Sequence, residues 1–229
     1  NYGAGYDKID VDAATRRGIP VTNCPDVTAL PTAEVAIGLL LSVARRIGEM
    51  DRKMRSGPPE NLFGMGRFMG MRLQGRSLGI IGLGNIGGPV AEFGRLIGME
   101  VAYHNRRRLP PAQERGARYL SLEELLQQSD VVSIHCPLTP ATRNLLSARR
   151  LALMKPGAVL INTARGAIVD YEALARMIRE EKLWGAGLDV FHQEPHVPEE
   201  LLALDRVVLT PHIGTKTVEA RNDMAQAAS

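Results

Sequence analysis

Cysteine, aromatic side chains and long apolar runs are all scarce in this chain of 229 residues. The two cysteines, Cys24 and Cys136, lie in different segments and match no metal-ligand spacing. They are expected to be reduced, buried small hydrophobes of a cytoplasmic protein. No apolar run approaches the roughly 20 residues that a membrane-crossing helix needs, so no membrane partner is expected. Aromatic residues make up 4% of the chain, and 28 Lys and Arg are nearly balanced by 25 Asp and Glu. That leaves neither stacking platforms nor a one-sign field for nucleic acid. The chain also lacks a methionine at its start. Asn1-Tyr2-Gly3-Ala4-Gly5-Tyr6 reads as a strand leaving a core, and Ala227-Ala228-Ser229 falls in a helix-like stretch, the pattern expected of the middle of a longer protein.

What is present is enough apolar material, 45% of residues, for one large domain or two smaller ones. From Ser77 onward short Val- and Ile-rich runs alternate with amphipathic segments. Strands are expected at 78–81, 101–103, 130–134, 158–161, 183–190 and 207–209, and helices at 86–97, 122–128, 148–153 and 171–181. Strand-like runs without polar alternation are buried on both faces, which predicts an α/β fold with a doubly wound parallel (Rossmann) sheet. Ahead of this unit, 31–54 reads as one long helix that is apolar nearly all round in its first half, with Ala33, Ala36, Leu40 and Val43 opposite Val35 and Leu39. Such a helix is buried in a core or between subunits. The segment 57–75 is rich in Gly, Pro and Met, and Met65, Met69 and Met71 are expected to pack adaptably beneath it.

The first strand runs into Gly82-Leu83-Gly84-Asn85-Ile86-Gly87, which opens a helix. In that context Gly82 permits a tight turn, Gly84 lets backbone approach a pyrophosphate, and Gly87 lets helix and strand pack closely. The helix N-terminus, at Asn85 and Ile86, offers N–H groups to phosphate. About 20 residues on, where a carboxylate would hold the ribose 2′-hydroxyl of NAD, the chain has Asn105-Arg106-Arg107 and no acid. A neutral Asn105 removes repulsion toward a 2′-phosphate, and Arg106 or Arg107 can bond it bidentately, so NADP is expected to be preferred over NAD.

Three polar residues follow the later strands: Arg165 in Asn162-Thr163-Ala164-Arg165-Gly166, Glu194 before Pro195, and His212 in Pro211-His212-Ile213-Gly214. Reducing a 2-oxo acid needs a carboxylate anchor, a proton donor and something to orient that donor. A guanidinium, an imidazole and a carboxylate at strand ends of one sheet supply all three. His192 and His196 flank Glu194, but a loop carries their spacing and no third ligand is near, so no metal is expected.

These blocks, with Gly3-Ala4-Gly5-Tyr6-Asp7-Lys8-Ile9-Asp10, Thr32-Ala33-Glu34, His135-Cys136-Pro137-Leu138-Thr139, Lys155-Pro156-Gly157 and Gly187-Leu188-Asp189-Val190-Phe191, resemble the D-isomer-specific 2-hydroxyacid dehydrogenase family over essentially the whole chain. The resemblance implies NAD(P)H-dependent reduction of a small 2-oxo acid of the glyoxylate, hydroxypyruvate or hydroxyphenylpyruvate type. By it, His212 is the acid/base, Glu194 its partner and Arg165 the substrate anchor. Backbone N–H groups around Ala4 and Gly5 bind the substrate carboxylate, Asp189 faces the nicotinamide carboxamide, and Thr163 and Pro137 line the cofactor groove. It further implies a homodimer built around 31–54. Residues 1–25 would be the end of a smaller flavodoxin-like substrate domain, 26–212 the dinucleotide-binding domain, and 213–229 the start of the return to the substrate domain. The chain departs from the family in lacking the acid near Asn105, as the NADP-using branch does, and in carrying Lys216 where a small residue is common. The competing reading is a dinucleotide-sensing binding protein of the same fold, similar to the corepressors that resemble these enzymes, with little turnover.

Overall fold

The computed structural model describes residues 1–57, 62–64 and 66–228. Its elements are α1 (Val11–Arg16), α2 (Ala29–Ala44), α3 (Ile47–Ser56), β1 (Ser77–Ile81), α4 (Gly87–Leu96), β2 (Glu100–His104), β3 (Arg118–Tyr119), α5 (Leu122–Gln128), β4 (Val131–Ile134), α6 (Ala148–Leu151), β5 (Val159–Asn162), α7 (Tyr171–Arg179), β6 (Gly185–Leu188), α8 (Glu199–Leu202), β7 (Val207–Leu209) and α9 (Val218–Ala228). The strands form one seven-stranded, all-parallel sheet in the order β3-β2-β1-β4-β5-β6-β7. All six expected strands are there. The seventh, β3, is two residues long and too short to leave a pattern in the sequence.

The sheet is sandwiched because its side chains alternate between two apolar clusters. Leu78, Ile80, Val131, Val159 and Ile161 pack with α2 and α4 on one face. Ile81, Val132, Ile134 and Leu160 pack with α5, α6 and α7 on the other. Each such fully buried side chain contributes about 1.5–3 kcal/mol, and burial on both faces is what an uninterrupted Val/Ile strand encodes. Helix α2 can cross so closely over β6 because Gly187 has no Cβ there; one would stand 2.8 Å from Leu39 Cβ. Strand order reverses between β1 and β4, opening a crevice at the carboxyl ends of the strands.

The expected single helix over 31–54 is two helices. Ala44 O, which a continuing helix would offer to Gly48, instead accepts the Met71 N–H at 2.6 Å, and Gly48 N–H turns to Ser42 Oγ at 3.3 Å. The chain turns at Arg46, which takes a left-handed φ of 57°. Its guanidinium grips the buried Glu49 with two bonds of 2.7 Å. The tertiary bond from the 57–75 segment ends the helix, and helical periodicity carries no trace of it. Within that segment Met71 is buried as expected, Met69 is 65% exposed, and Met65 lies outside the described residues.

Residues ahead of α2 pack over the carboxyl end of the sheet. Cys24 N–H bonds Gly3 O at 3.0 Å and Asn23 Nδ2 bonds Ala4 O at 2.8 Å, closing the first 24 residues into a loop around α1. Tyr2 reaches α9, donating its hydroxyl to Arg221 O at 2.8 Å with the Arg221 guanidinium over its ring.

Candidate active site

Strands β5, β6 and β7 end in register, with Asn162 opposite Leu188 and Leu188 opposite Leu209. Arg165, Glu194 and His212 therefore leave one edge of the sheet within a few residues of its end. All three line a single cavity of about 250 Å³, together with Gly5, Asp7, Lys8, Leu138 and Phe191. A second polar cavity of about 300 Å³ lies at the opposite, amino ends of the strands. There Lys155, Arg76 and Ser77 already satisfy Asp130, so it is a structural knot.

Buried polar residues hold Arg165 and His212 in place, and Glu194 is held by backbone and by His212. The Asn162 amide is fully inside and uses both ends on the turn that carries Arg165. It accepts from Ala164 N–H and donates to Arg165 O and Tyr171 Oη, each at 3.0 Å. Arg165 Nη1 donates to Ala164 O at 2.8 Å, and Nε pairs with Asp7 Oδ1 at 2.9 Å. Nη2 lies where a Cβ on Gly5 would be, so only glycine leaves room for the guanidinium.

His212 Nδ1 meets Glu194 Oε2 at 2.8 Å, and Glu194 Oε1 accepts the Phe191 N–H at 3.1 Å. Burial pushes the Glu194 carboxyl up. The hydrogen bond from His212, the Phe191 N–H and the charges of His212 and Lys8 outweigh it, and the net position is below the ordinary carboxylate value. Glu194 is thus ionised at neutral pH and keeps a proton on Nδ1, which directs Nε2 away from it. His212 itself has a left-handed φ of 52°, a conformation that costs a residue with a Cβ about 1 kcal/mol or more. The buried Asp189 carboxylate holds it there by accepting Thr210 Oγ1, Ile213 N–H and Gly214 N–H at 2.6, 2.8 and 3.0 Å. Lys216, which the sequence left without a role, donates to Pro211 O at 2.9 Å and braces the same turn.

The glycine turn fits a dinucleotide. Gly82 has φ of 99°, and a Cβ there would strike the backbone of His135 and Cys136. A Cβ on Gly87 would strike Gly82 O, whereas the space over Gly84 is open. Asn85 and Ile86 N–H groups have no acceptor among the described residues, and the Asn85 side chain is held by Asp26 at 2.9 Å. Asn105 closes on the turn from the end of β2, its Oδ1 accepting Leu83 N–H at 2.7 Å and its Nδ2 donating to Leu83 O at 3.3 Å. Arg106 and Arg107 are exposed and have no partner among the described residues, while Arg108 is taken by Glu114 at 2.7 Å.

Two buried side-chain atoms in the same crevice lack partners: His135 Nδ1 and Thr163 Oγ1. They stand one step beyond the paired Ile134 and Asn162 on neighbouring strands. The orphaned atoms, the bare glycine turn and the free N–H groups are what a polar cofactor would satisfy. Burial pushes the His135 imidazole down to about 3, so the ring is neutral, and its Nε2 is tied to Ser133 Oγ at 2.8 Å. Pro137 lies exposed beside it, its carbonyl held by Thr142 Oγ1 at 2.7 Å. His192 lines the active-site cavity, but its Nε2 donates to Val169 O at 2.8 Å and its ring stacks on Tyr171. No group of three or more metal-ligating side chains occurs among the described residues.

Sequence reasoning missed Asp7 and His135 as individual site residues. Both lie in blocks that it quoted, but nothing local marks Asp7 as the partner of an arginine 158 positions away.

Residues 37–214 match a family model described as D-isomer specific 2-hydroxyacid dehydrogenase, NAD binding domain. The chain is 48% identical over 229 residues to a glyoxylate reductase of Thermococcus litoralis, covering 98% of this chain and 69% of that protein. Among solved structures, it superposes on a glyoxylate reductase from Paecilomyes thermophila with a TM-score of 0.92 at 43% identity, covering 98% of this chain and 67% of that one. It superposes on an NADPH-dependent glyoxylate/hydroxypyruvate reductase from Sinorhizobium meliloti, solved with NADP and malonate, with a TM-score of 0.90 at 38% identity, covering 99% of this chain and 70% of that one.

Proposed function

The chain belongs to the D-isomer specific 2-hydroxyacid dehydrogenase family, and we propose that it acts there as an NADPH-preferring reductase of the smallest 2-oxo acids. It is an NAD(P)-dependent oxidoreductase that reduces 2-oxo acids to 2-hydroxy acids. The observation that carries the finer reading is the convergence of Arg165, Glu194 and His212 on one cavity of about 250 Å³. That space suits glyoxylate or hydroxypyruvate, the substrates named for its relatives.

In this reading Arg165 grips the substrate carboxylate through the side of its fork that faces the cavity, aided by the Ala4 and Gly5 N–H groups. The same guanidinium polarises the carbonyl. His212 delivers a proton from Nε2 to the carbonyl oxygen, with Nδ1 held by the ionised Glu194. The bound dinucleotide supplies the hydride. Gly82, Gly84 and Gly87, with the Asn85 and Ile86 N–H groups, hold the pyrophosphate. Thr163, Pro137 and Asp189 line the nicotinamide side, where Asp189 also keeps His212 in register. Residues 1–25 and 213–229 form one unit distinct from 26–212, a division supported by the Tyr2–Arg221 contact. A second copy covers α2 and α3, supported by the exposed Leu30, Ile47 and Met54.

The deciding assay is NADPH absorbance with glyoxylate, hydroxypyruvate and hydroxyphenylpyruvate. Turnover is expected with at least the first two. Normal NADPH binding without turnover of any 2-oxo acid would favour a cofactor sensor.

Two further outcomes are expected. Exchanging both Arg106 and Arg107 for alanine lowers kcat/KM for NADPH by about ten- to a hundredfold, the worth of one or two charge-assisted hydrogen bonds, and leaves NADH almost untouched. An unmodified enzyme that used NADH as well as NADPH would end the NADP assignment. Gly5→Ala leaves the melting temperature close to that of the parent, since the flexible end of Arg165 can move aside. It raises KM for glyoxylate by about ten- to a hundredfold, because the anchor is then misplaced by about 1 Å. An unchanged KM would mean that Arg165 does not hold substrate in the position seen here.

A further inference from the structure

The active-site cavity contains a carboxylate that the reduction of a 2-oxo acid does not call for. Asp7 lies on the wall formed by the first residues of the chain, beside Gly5, and its side chain is 21% exposed. Oδ1 is committed to Arg165 Nε at 2.9 Å, while Oδ2 has no partner among the described residues. A second carboxylate, Glu194, also faces the cavity, but both of its oxygens are occupied, by His212 and by Phe191 N–H. The cations facing the same space are Arg165 and Lys8, with His212 charged only while it holds the proton to be transferred.

Fixed charge in the cavity is therefore balanced, two cations against two carboxylates. One substrate carboxylate can be accepted by the Arg165 fork. A second would meet the unpartnered oxygen of Asp7 in a partly desolvated space, where like charges repel strongly. Asp7 also sets the fork itself. By occupying Nε it leaves Nη2, packed against Gly5, as the donor turned to substrate.

Resting on the reading of Arg165 as the substrate anchor, we propose that Asp7 is the specificity-determining residue that restricts this enzyme to 2-oxo monocarboxylates. It orients Arg165 for one carboxylate and repels substrates that carry two. Asp7→Asn keeps an acceptor for Arg165 Nε in nearly the same shape and removes only the charge.

The test compares glyoxylate with oxomalonate, which differs from it by one carboxylate in place of the aldehyde hydrogen. Pyruvate, with an uncharged methyl at that position, controls for size. The parent enzyme is expected to favour glyoxylate over oxomalonate by kcat/KM. Asp7→Asn is expected to narrow that ratio by about tenfold or more, through a lower KM for oxomalonate, while the ratio of glyoxylate to pyruvate stays nearly as in the parent. A glyoxylate-to-oxomalonate ratio that Asp7→Asn leaves unchanged would overturn the proposal, as would a parallel gain with pyruvate, which would assign the effect to size. The anchor reading stands or falls separately. If Arg165→Ala left KM for glyoxylate unchanged, that reading would fail whatever Asp7→Asn did.

Discussion

Replacing His212 with alanine is expected to lower kcat for glyoxylate reduction by about 10²–10⁴-fold, the usual worth of a positioned proton donor. The dissociation constant for NADPH should barely change, because no residue of the glycine turn lines the cavity that holds the imidazole. The size of the effect follows from how much of the structure is spent on this one ring. Glu194 holds Nδ1, Asp189 closes three hydrogen bonds on the 210–214 turn, and Lys216 ties Pro211. A left-handed histidine backbone persists only where its surroundings over-determine it. His212→Gln would keep a polar side chain of similar reach without a titratable ring and should be nearly as slow. Near-parental turnover in either variant would move the donor role to another group.

Arg165→Ala is expected to lower kcat/KM by about 10²–10³-fold, which corresponds to about 3–4 kcal/mol for a desolvated, hydrogen-bonded charge pair. KM should rise and kcat fall together, since the guanidinium touches the substrate carboxylate in the ground state and the polarised carbonyl in the transition state. Arg165→Lys should recover only part of this. A point charge cannot bond Asp7, Ala164 O and the substrate at once, as the planar fork does. Steady-state kinetics with saturating NADPH separates the two constants. A KM that stayed at the parental value in Arg165→Ala would place the anchor elsewhere in the cavity.

Six of the seven strands were legible because they are short, mainly apolar runs separated by amphipathic helical segments, whereas β3 is only Arg118–Tyr119. The two signals have different periods, and here neither was overridden. The same local physics made the Gly82–Gly87 turn readable, since its glycines follow a strand and open a helix. What escaped were features made by contacts distant in sequence. Helix α2 stops at Ala44 because Met71 takes its carbonyl, a bond that no periodicity in 31–54 could reveal. Asn105 was read as the absence of a carboxylate; it also clamps the Leu83 backbone and so helps to shape the phosphate turn. Asp189 was expected only at the nicotinamide, yet most of its carboxylate is committed to the His212 turn. The pairing of His212 with Glu194 was expected from the chemistry of a proton donor and from the family resemblance, and they meet at 2.8 Å. The pairing of Arg165 with Asp7 was not expected, because the two lie 158 positions apart and no local pattern links them.

The most direct test is a crystal structure of the enzyme with NADP and oxamate, a 2-oxo acid mimic that accepts no hydride. The account predicts the oxamate carboxylate on Arg165 and its carbonyl oxygen within hydrogen-bond reach of His212 Nε2, about 2.6–3.2 Å. Oxamate bound away from Arg165, or a His212 ring turned from the ligand while still joined to Glu194, would contradict it.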